Sequence, residues 1–158
     1  MYKIAFFLLT LSYSIVGQHN YPYAQHLSTR FLGAQRSGNT KSWIQNMQSQ
    51  GAFVNDGQSF GKDLSGGWHD CGDYIKFHLT GPYTALMYLY GYFQFPEVYP
   101  DLYSADFSRA PSNGIPDVLD EVKIETDYLI KCLAGDTVFW QIGDGPAGQD
   151  IAFQNERR

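Results

Sequence analysis

Apolar side chains recur at intervals of three and four residues in three stretches of the chain, which is the pattern of an amphipathic helix. The first stretch covers residues 21–35, and its apolar positions are Tyr23, Leu27, Phe31 and Ala34. The second follows Gly81 and Pro82 and stops at Phe95 and Pro96, because proline cannot continue a helix. Its apolar stripe consists of Tyr83, Leu86, Met87, Tyr90 and Phe93. Each stripe predicts a helix face that packs against other elements.

The clearest helical pattern begins at Pro116, a residue favoured in the first turn of a helix. Acidic residues follow it, and the attraction between carboxylates and the positive end of the helix dipole is enough to explain Glu121 and Glu125. The predicted buried stripe is Val118, Val122, Leu129 and Leu133. Gly135 is interpreted as the residue that stops this helix.

The segments between the helices predict long loops. Residues 37–63 are polar and glycine-rich without a sustained period, and residues 64–77 continue irregularly. Residues 138–142 predict one short strand. Three helices joined by long, aromatic-rich loops predict an all-α fold that carries its function in the loops on one face. The apolar stripes need more partners than three helices supply, so we expect an incomplete assembly.

Composition narrows the range of functions. The 158 residues carry a formal net charge of −5, with 44% apolar and 17% charged residues, as in globular proteins. Basic residues are scattered, which argues against nucleic-acid or anionic-membrane partners, because both need clustered Lys and Arg. Aromatic residues reach 16% of the chain, and they fill a core or line a groove that stacks on flat rings such as sugars.

The N-terminus has the pattern of an export signal. Lys3 is followed by an apolar run from position 4 to 11 and by smaller residues up to Gly17. The run is too short to span a bilayer, so we expect residues 1–17 to be removed and residues 18–158 to be secreted. Cys71 and Cys132 either form a disulfide in that oxidising environment or remain two buried thiols.

Two carboxylates three residues apart, Asp70 and Asp73, lie within the stretch SGGWHDCGDYIKF at residues 65–77. Hydrolysis of a glycosidic bond requires a carboxylate that activates water, an acid that protonates the leaving oxygen, and apolar faces that hold the sugar rings. Gly72 lets the backbone turn between the carboxylates, and Trp68 is a candidate for stacking on sugar. An Asp-rich turn that satisfies only its own backbone is the alternative.

This stretch resembles the signature of family 9 glycoside hydrolases, usually read S-G-G-W-Y-D-A-G-D-[HY]-V-K-F. His69 and Cys71 depart from it, where the family often has Tyr and Ala, and the chain departs again after Gly145. Further matches occur in order: AQRSG at 34–38, DL at 63–64, GIPDVLDEVK at 114–123, YLIK at 128–131 and QIGDG at 141–145. The resemblance spans residues 21–145 and indicates a partial family 9 catalytic domain.

The resemblance implies the N-terminal portion of an (α/α)6 barrel with an open cleft for cellulose or a related β-1,4-glucan. It implies an endo-acting, inverting hydrolase in which Asp73 is the general base and Asp70 positions the attacking water. Substrate contacts are expected from Trp68, Tyr74 and Asp144. We expect a monomer without a cofactor, although some family members carry structural calcium. Metal ligation by His69 and His78 is the less favoured alternative to ordinary hydrogen bonding, because no third ligand falls at suitable spacing.

The family's general acid is a glutamate near the far end of a domain about three times this length. Asp70 and Asp73 are too close in the chain to serve as an inverting pair, which needs carboxyl groups about 6.5–9.5 Å apart. We therefore expect the 158-residue chain to lack the acid and to be inactive by itself. The alternatives are a non-catalytic glycan-binding protein and an inactive truncated relative.

Overall fold

The computed structural model describes residues 19–38, 53–70, 74–102 and 112–143, together with the backbone of residues 152–156. Three α-helices lie in these ranges: α1 spans Tyr21–Gly33, α2 spans Thr80–Gln94 and α3 spans Asp117–Lys131. The three predicted helices are confirmed, although α2 begins at Thr80, before the predicted start after Pro82, and α3 ends at Lys131, before the predicted stop at Gly135. The N-terminal segment 1–17 lies outside the described residues.

Local chemistry explains where the helices begin and end. Asn20 caps α1, since its side-chain oxygen accepts a hydrogen bond from the backbone N–H of Tyr23 at 3.0 Å. Helix α2 ends at Gln94, directly before Phe95 and the proline that follows it. Helix α3 begins after Pro116, has Asp117 and Asp120 in its first turn and has a lysine in its last turn, as the helix dipole favours.

A small antiparallel sheet accompanies the helices. Its strands are β1 at Lys76–Phe77, β2 at Leu133–Ala134, β3 at Thr137–Ile142 and β4 at Ala152–Glu156. Strand β3 is central, because its residues pair with β1 and β2 on one side and with β4 on the other. The prediction of an all-α fold was therefore incomplete. Two-residue strands such as β1 and β2 are too short to show a period of two, so the sequence pattern did not indicate them.

Gly135 does not stop α3 directly. The helix ends at Lys131, and Cys132 follows it with a right-handed backbone conformation. Gly135 instead lies in the two-residue turn that joins β2 to β3, where its φ of 62° suits the first position of a tight hairpin. The predicted short strand is confirmed as part of β3.

Helix α3 connects two clusters of buried side chains. The first cluster joins all three helices and consists of Leu32, Trp68, Ala85, Val118 and Val122. The second joins α3 to the sheet and consists of Leu64, Tyr128, Cys132, Phe139 and Ile142. Cys132 is a free, buried thiol, so a disulfide to it is absent, while Cys71 lies outside the described residues.

The apolar stripes predicted for α1 and α2 are exposed. Helix α1 buries His26, Thr29, Leu32 and Gly33, and its predicted stripe of Tyr23, Leu27 and Phe31 faces solvent. Helix α2 buries Ala85, and all five residues of its stripe are exposed. Of the α3 stripe, Val118 and Val122 are buried, whereas Leu133 lies in β2 and is exposed. Periodicity identified the apolar face of each helix, but the described residues do not include elements that cover two of these faces.

Candidate active site

The signature stretch runs as an extended segment between the end of α1 and the start of α2. The backbone N–H of Ser37 donates to the carbonyl oxygen of Gly67 at 2.9 Å, and the N–H of His69 donates to that of Gln35 at 2.8 Å. The N–H of Asp70 then donates to the carbonyl oxygen of Ile75 at 2.7 Å. Residues 67–70 are thereby held on one side by the AQRSG segment, and Asp70 is tied to the returning chain.

Trp68 lies at the centre of this segment with only 5% of its surface exposed. Its indole Nε1–H donates to Glu121 Oε1 at 2.7 Å, and its backbone N–H donates to Glu125 Oε2 at 2.9 Å. The ring packs in the cluster that joins the three helices. In this structure Trp68 fixes the segment to α3, while its stacking on a sugar remains a prediction.

A buried ion pair supports the indole contact. Arg36 Nε lies 3.1 Å from both carboxylate oxygens of Glu121, and a terminal nitrogen of the same guanidinium lies 2.7 Å from Oε2. Both side chains are at least 95% buried. Planar two-nitrogen contacts between Arg and a carboxylate are both strong and directional. Glu121 therefore has a cation and an indole donor, which compensate for the removal of its charge from water.

Glu125 occupies a different environment one helical turn further along α3. It is 1% exposed, and burial raises the pKa of its carboxyl from 4.5 to about 7, although the Trp68 N–H and the Lys76 charge oppose this shift. A Cβ placed on Gly81 would lie 2.3 Å from Glu125 Oε1, and one placed on Gly67 would lie 3.1 Å from Oε2. Gly81 is thus required for the close approach of backbone to this carboxyl group, whereas the atoms nearest to a Cβ at Gly67 are those of the Tyr128 ring, at 2.5 and 2.6 Å.

Lys76 anchors the two ends of the signature stretch. Its ammonium Nζ contacts Asp56 Oδ2 at 2.6 Å and donates to the carbonyl oxygens of Leu64 and Gly66 at 2.6 and 3.1 Å. It also lies 4.6 Å from the centre of the Tyr128 ring, within the range of a cation–π interaction. Burial lowers the pKa of Lys76, while Asp56 opposes that shift.

The start of the stretch is held at the surface. Lys131 Nζ lies 2.9 Å from Asp63 Oδ2 and 3.0 Å from the carbonyl oxygen of Ser65. The hydroxyl of Ser65 also donates to Asp63, and this hydrogen bond is the largest cause that lowers the pKa of Asp63 to about 2. Residues Asp63 and Ser65 of the motif therefore serve to shape the loop in this structure.

Asp70 is half-buried and borders a cavity of about 340 Å³ between α1, α2 and the signature stretch. Polar side chains from both helices line the cavity, and Ser28 and Tyr88 share a short hydrogen bond across it. The remaining lining residues are Phe31, Leu32, Gln35, Trp68, His69, Thr80, Gly81 and Thr84. Asp70, the predicted water-positioning residue, therefore lies at the edge of an open space.

Tyr74 takes part in an aromatic cluster on the other side of the loop. Its ring stacks on Phe53 with centroids 5.7 Å apart, and His69 meets both rings edge-on. The φ of Tyr74 is 61°, an uncommon value for a residue with a side chain, which marks a strained turn directly after position 73. Burial and the Lys76 charge lower the pKa of His69 to about 4, so its ring is neutral at neutral pH.

Asp73, Gly72 and Asp144 lie outside the described residues, so their predicted roles stay predictions. Within the described ranges, no group of three or more His, Cys, Asp or Glu side chains is placed to hold a metal ion. No helix in these ranges is long and apolar enough to cross a membrane.

Sequence reasoning missed the structural roles of Glu121 and Glu125. A signal was nevertheless present, because both fall at helical spacing from Val118 and Val122 on the buried face of α3. Arg36 and Glu121 also belong to two of the matched motifs, AQRSG and GIPDVLDEVK. An acidic residue on an apolar helix face indicates a buried partner. For Glu121 that partner is Arg36, the arginine of the AQRSG motif.

Comparison with known proteins identifies the class of protein as a glycosyl hydrolase. The model for "Glycosyl hydrolase family 9" matches residues 21–157. Endoglucanase 4 of Bacillus sp. (strain KSM-522) is 33% identical over 133 residues, which are 84% of this chain and 19% of that protein. The chain belongs to glycosyl hydrolase family 9.

Solved structures show the same fold over part of their length. The endoglucanase of the termite Nasutitermes takasagoensis superimposes with a TM-score of 0.65 at 25% identity, covering 87% of this chain and 33% of that one. The cellulase Cel9M of C. cellulolyticum, in complex with cellobiose, superimposes with a TM-score of 0.61 at 28% identity. The superposition covers 82% of this chain and 28% of Cel9M. The chain thus spans a fifth to a third of these relatives and corresponds to part of their barrel.

Proposed function

We propose that the complete protein containing this chain hydrolyses internal β-1,4-glucosidic bonds of cellulose or a related β-glucan with inversion at the anomeric carbon. The family assignment and the similarity to endoglucanases support this activity. A relative crystallised with cellobiose supports a glucan as the substrate. The proposal extends to a secreted protein that acts outside the cell.

The anchored loop is the observation that carries the proposal. Asp70 is hydrogen-bonded to Ile75 across the loop and borders the cavity, so the chain between them must return within four residues. Asp73, the proposed base, is three residues from Asp70 in the sequence, within the segment that joins Asp70 to Ile75. Asp73 as base removes a proton from water while Asp70 accepts a hydrogen bond from the same water, which orients its attack.

The acid comes from outside the described residues in this proposal. Glu125 has a raised pKa, as a catalytic acid does, but it is only 1% exposed and its carboxyl already accepts the Trp68 N–H. Glu121 is fully buried in its contacts with Arg36 and the indole. An inverting enzyme needs a second carboxyl about 6.5–9.5 Å from the base, and the rest of the family domain supplies it.

Replacing Asp73 tests the base assignment. In the complete protein, Asp73→Asn removes the proton acceptor but keeps the shape of the side chain. We expect the release of reducing ends from soluble cellulose to fall by about 10²-fold or more, because a general base contributes that much, while cellotriose affinity stays within about threefold. Asp136→Asn, in the exposed turn between β2 and β3, is the matched control and leaves both quantities unchanged. Unchanged hydrolysis in Asp73→Asn would remove Asp73 from the mechanism.

Glycan binding without hydrolysis is the second candidate for the 158-residue chain itself. It is favoured because the buried contacts of Glu121 and Glu125 leave neither glutamate free to act as an acid. Calorimetry with cellotriose, together with a measurement of released reducing ends, distinguishes glycan binding from hydrolysis. Saturable binding without released reducing ends supports the binding role, and the absence of binding excludes it.

A further inference from the structure

Two carboxylates of α3 meet a single residue of the signature stretch. Glu121 and Glu125 are four residues apart, so they lie on one face of the helix. One accepts from the indole Nε1–H of Trp68 at 2.7 Å, and the other accepts from its backbone N–H at 2.9 Å. The side chain and the main chain of the same residue are therefore fixed by separate acceptors, which sets both the position and the direction of the segment.

Glu125 also connects this segment to the first turn of α2. One carboxylate oxygen approaches Gly81 closely enough to leave no room for a side chain, and the other lies beside Gly67, where the Tyr128 ring takes up the space that a side chain would need. Trp68 lies two residues before Asp70, and the intervening His69 is tied to Gln35. Movement of Trp68 relative to α2 therefore moves Asp70 relative to the cavity that both elements border.

We propose that Glu125, together with Glu121, is a positioning residue that sets the placement of Asp70 relative to α2. This inference rests on the proposed function of the loop. The backbone N–H of Trp68 has this carboxylate as its acceptor, and residues 67–70 pair with residues 35–37 on their other side. Without Glu125 the segment loses the acceptor of the Trp68 N–H and keeps its indole contact with Glu121 and its pairing with residues 35–37.

The charged and titratable groups around Glu125 make its contribution measurable. Lys76 from β1 is the cation that favours its ionised form, and Glu121, paired with Arg36, is the anion that disfavours it. Tyr128 and Cys132, from α3 and its end, are the other ionisable neighbours, and burial raises the pKa of each. Helix α2 presents a glycine at this point. Among these ionisable groups, Glu125 is the one whose pKa is raised to about 7.

Nuclear magnetic resonance of the ¹⁵N-labelled 158-residue chain tests the inference with three variants. Glu125→Gln keeps an oxygen acceptor for the Trp68 N–H but removes the titration. Glu125→Ala removes the acceptor. Asp127→Asn, on the exposed side of the same helix, is the matched control. The observables are the pH dependence of the Trp68 amide signal and the hydrogen-exchange protection of the amides of Trp68, His69 and Asp70, with Phe139 in the sheet as the reference amide.

We expect the Trp68 amide signal to shift with a midpoint near pH 7 in the native chain and in Asp127→Asn, but not in Glu125→Gln. In Glu125→Ala the protection of the three loop amides should fall by about tenfold or more relative to Phe139, because a buried donor loses its acceptor. Glu125→Gln should retain that protection. A general loss of stability would instead lower all four amides together.

Two results would overturn the inference: an unchanged Trp68 titration in Glu125→Gln, or equal losses of protection at Phe139 and in the loop. If Glu125→Ala does not fold, the titration in Glu125→Gln decides the question. Release of reducing ends from soluble cellulose by the complete protein is measured separately. Absent hydrolysis with the expected amide behaviour refutes the proposed function and leaves the structural role of Glu125 intact.

Discussion

Glu121 and Glu125 have the same side chain, the same helix face and nearly the same burial, yet their environments differ. Glu121 contacts a guanidinium at close range, whereas Glu125 accepts from a backbone N–H and is approached by glycines. A formal cation offsets the cost of burying a carboxylate far better than one neutral donor does. The result is a carboxyl group at position 125 whose pKa is raised to about 7.

This raised pKa predicts a pH-dependent contribution to stability. Because the folded-state pKa exceeds 4.5, the folded chain binds more protons than the unfolded chain between pH 4.5 and about 7, so the contribution is complete below that window and lost as pH rises through it. Glu125→Gln should therefore match the native chain near pH 4.5 and exceed it at pH 8 by up to about 3 kcal/mol. Urea unfolding at both pH values measures the difference.

Comparison of the two proteins at each pH is necessary, because buried histidines act in the opposite direction. Burial lowers the pKa values of His69 and His78, so their contribution to stability is lost as pH falls through the same window. These groups are present in both proteins and cancel in the difference. An equal difference in unfolding free energy at pH 4.5 and pH 8 would contradict the assignment of the titration to Glu125.

Residues of the site were predictable from sequence to different degrees. The stretch at 65–77 predicts where the chemistry lies, because it combines aromatic residues with two carboxylates, and this stays a prediction. The buried partners Arg36 and Glu121 were not indicated, because they are 85 residues apart and the helix dipole offered a sufficient local explanation for the glutamate. A pattern within one helical turn does not reveal a partner that lies 85 residues away in the chain.

At the scale of elements, helices were predicted more accurately than strands. The fixed backbone geometry of proline marks the start of α3 and the end of α2, so the sequence predicted these two bounds. Strands β1 and β2 exist because they pair with β3, and tertiary pairing is not encoded in two residues. The interpretation of Gly135 as the stop of α3 was wrong, because this glycine lies in the turn between β2 and β3.

Helix α1 offers a matched test of which face is buried in the 158-residue chain. Leu32 is 7% exposed in the three-helix cluster, whereas Leu27 on the predicted stripe is 46% exposed. Leu32→Ala should lower the free energy of unfolding by about 2–5 kcal/mol, as expected for a buried leucine. Leu27→Ala should change it by no more than about 0.5 kcal/mol. Denaturant unfolding of the two variants measures both quantities.

The same two variants, Leu32→Ala and Leu27→Ala, show whether another surface covers α1 in solution. A loss for Leu27→Ala as large as that for Leu32→Ala would show that another surface packs on the stripe. Protein concentration then separates the sources, because a contact between two copies strengthens with concentration and a contact within one chain does not.

At the scale of the whole molecule, the described residues expose a large apolar area on α1 and α2. Exposed positions include Tyr23, Phe31, Leu86, Tyr90 and Phe93. Contiguous apolar surface of this kind is usual at interfaces and unusual on monomers. The chain spans 19% of its Bacillus relative and 33% of the termite structure, and the helical stripes agree with a domain whose core requires further elements.

Export is a property of the whole molecule that the N-terminal sequence predicts. Expressed in secretory cells, the protein should appear in the medium with Gln18 as its first residue, because the apolar run from position 4 to 11 is read as a signal and then removed. N-terminal sequencing and the intact mass measure this. Replacement of Leu8 by Arg, which interrupts the run, should keep the protein in the cells. A secreted product that retains Lys3 would contradict the prediction.

Helix α3 lies after the signature stretch in the chain but supplies the acceptors that shape it. During synthesis on the ribosome, the segment containing Asp70 emerges well before residues 121 and 125 do, so its final conformation has to wait for more than fifty further residues to be translated. The interval leaves the tryptophan and both glycines without their partners in the nascent chain. Codon choice or pausing within that interval would consequently alter how long this aromatic-containing stretch is accessible to chaperones.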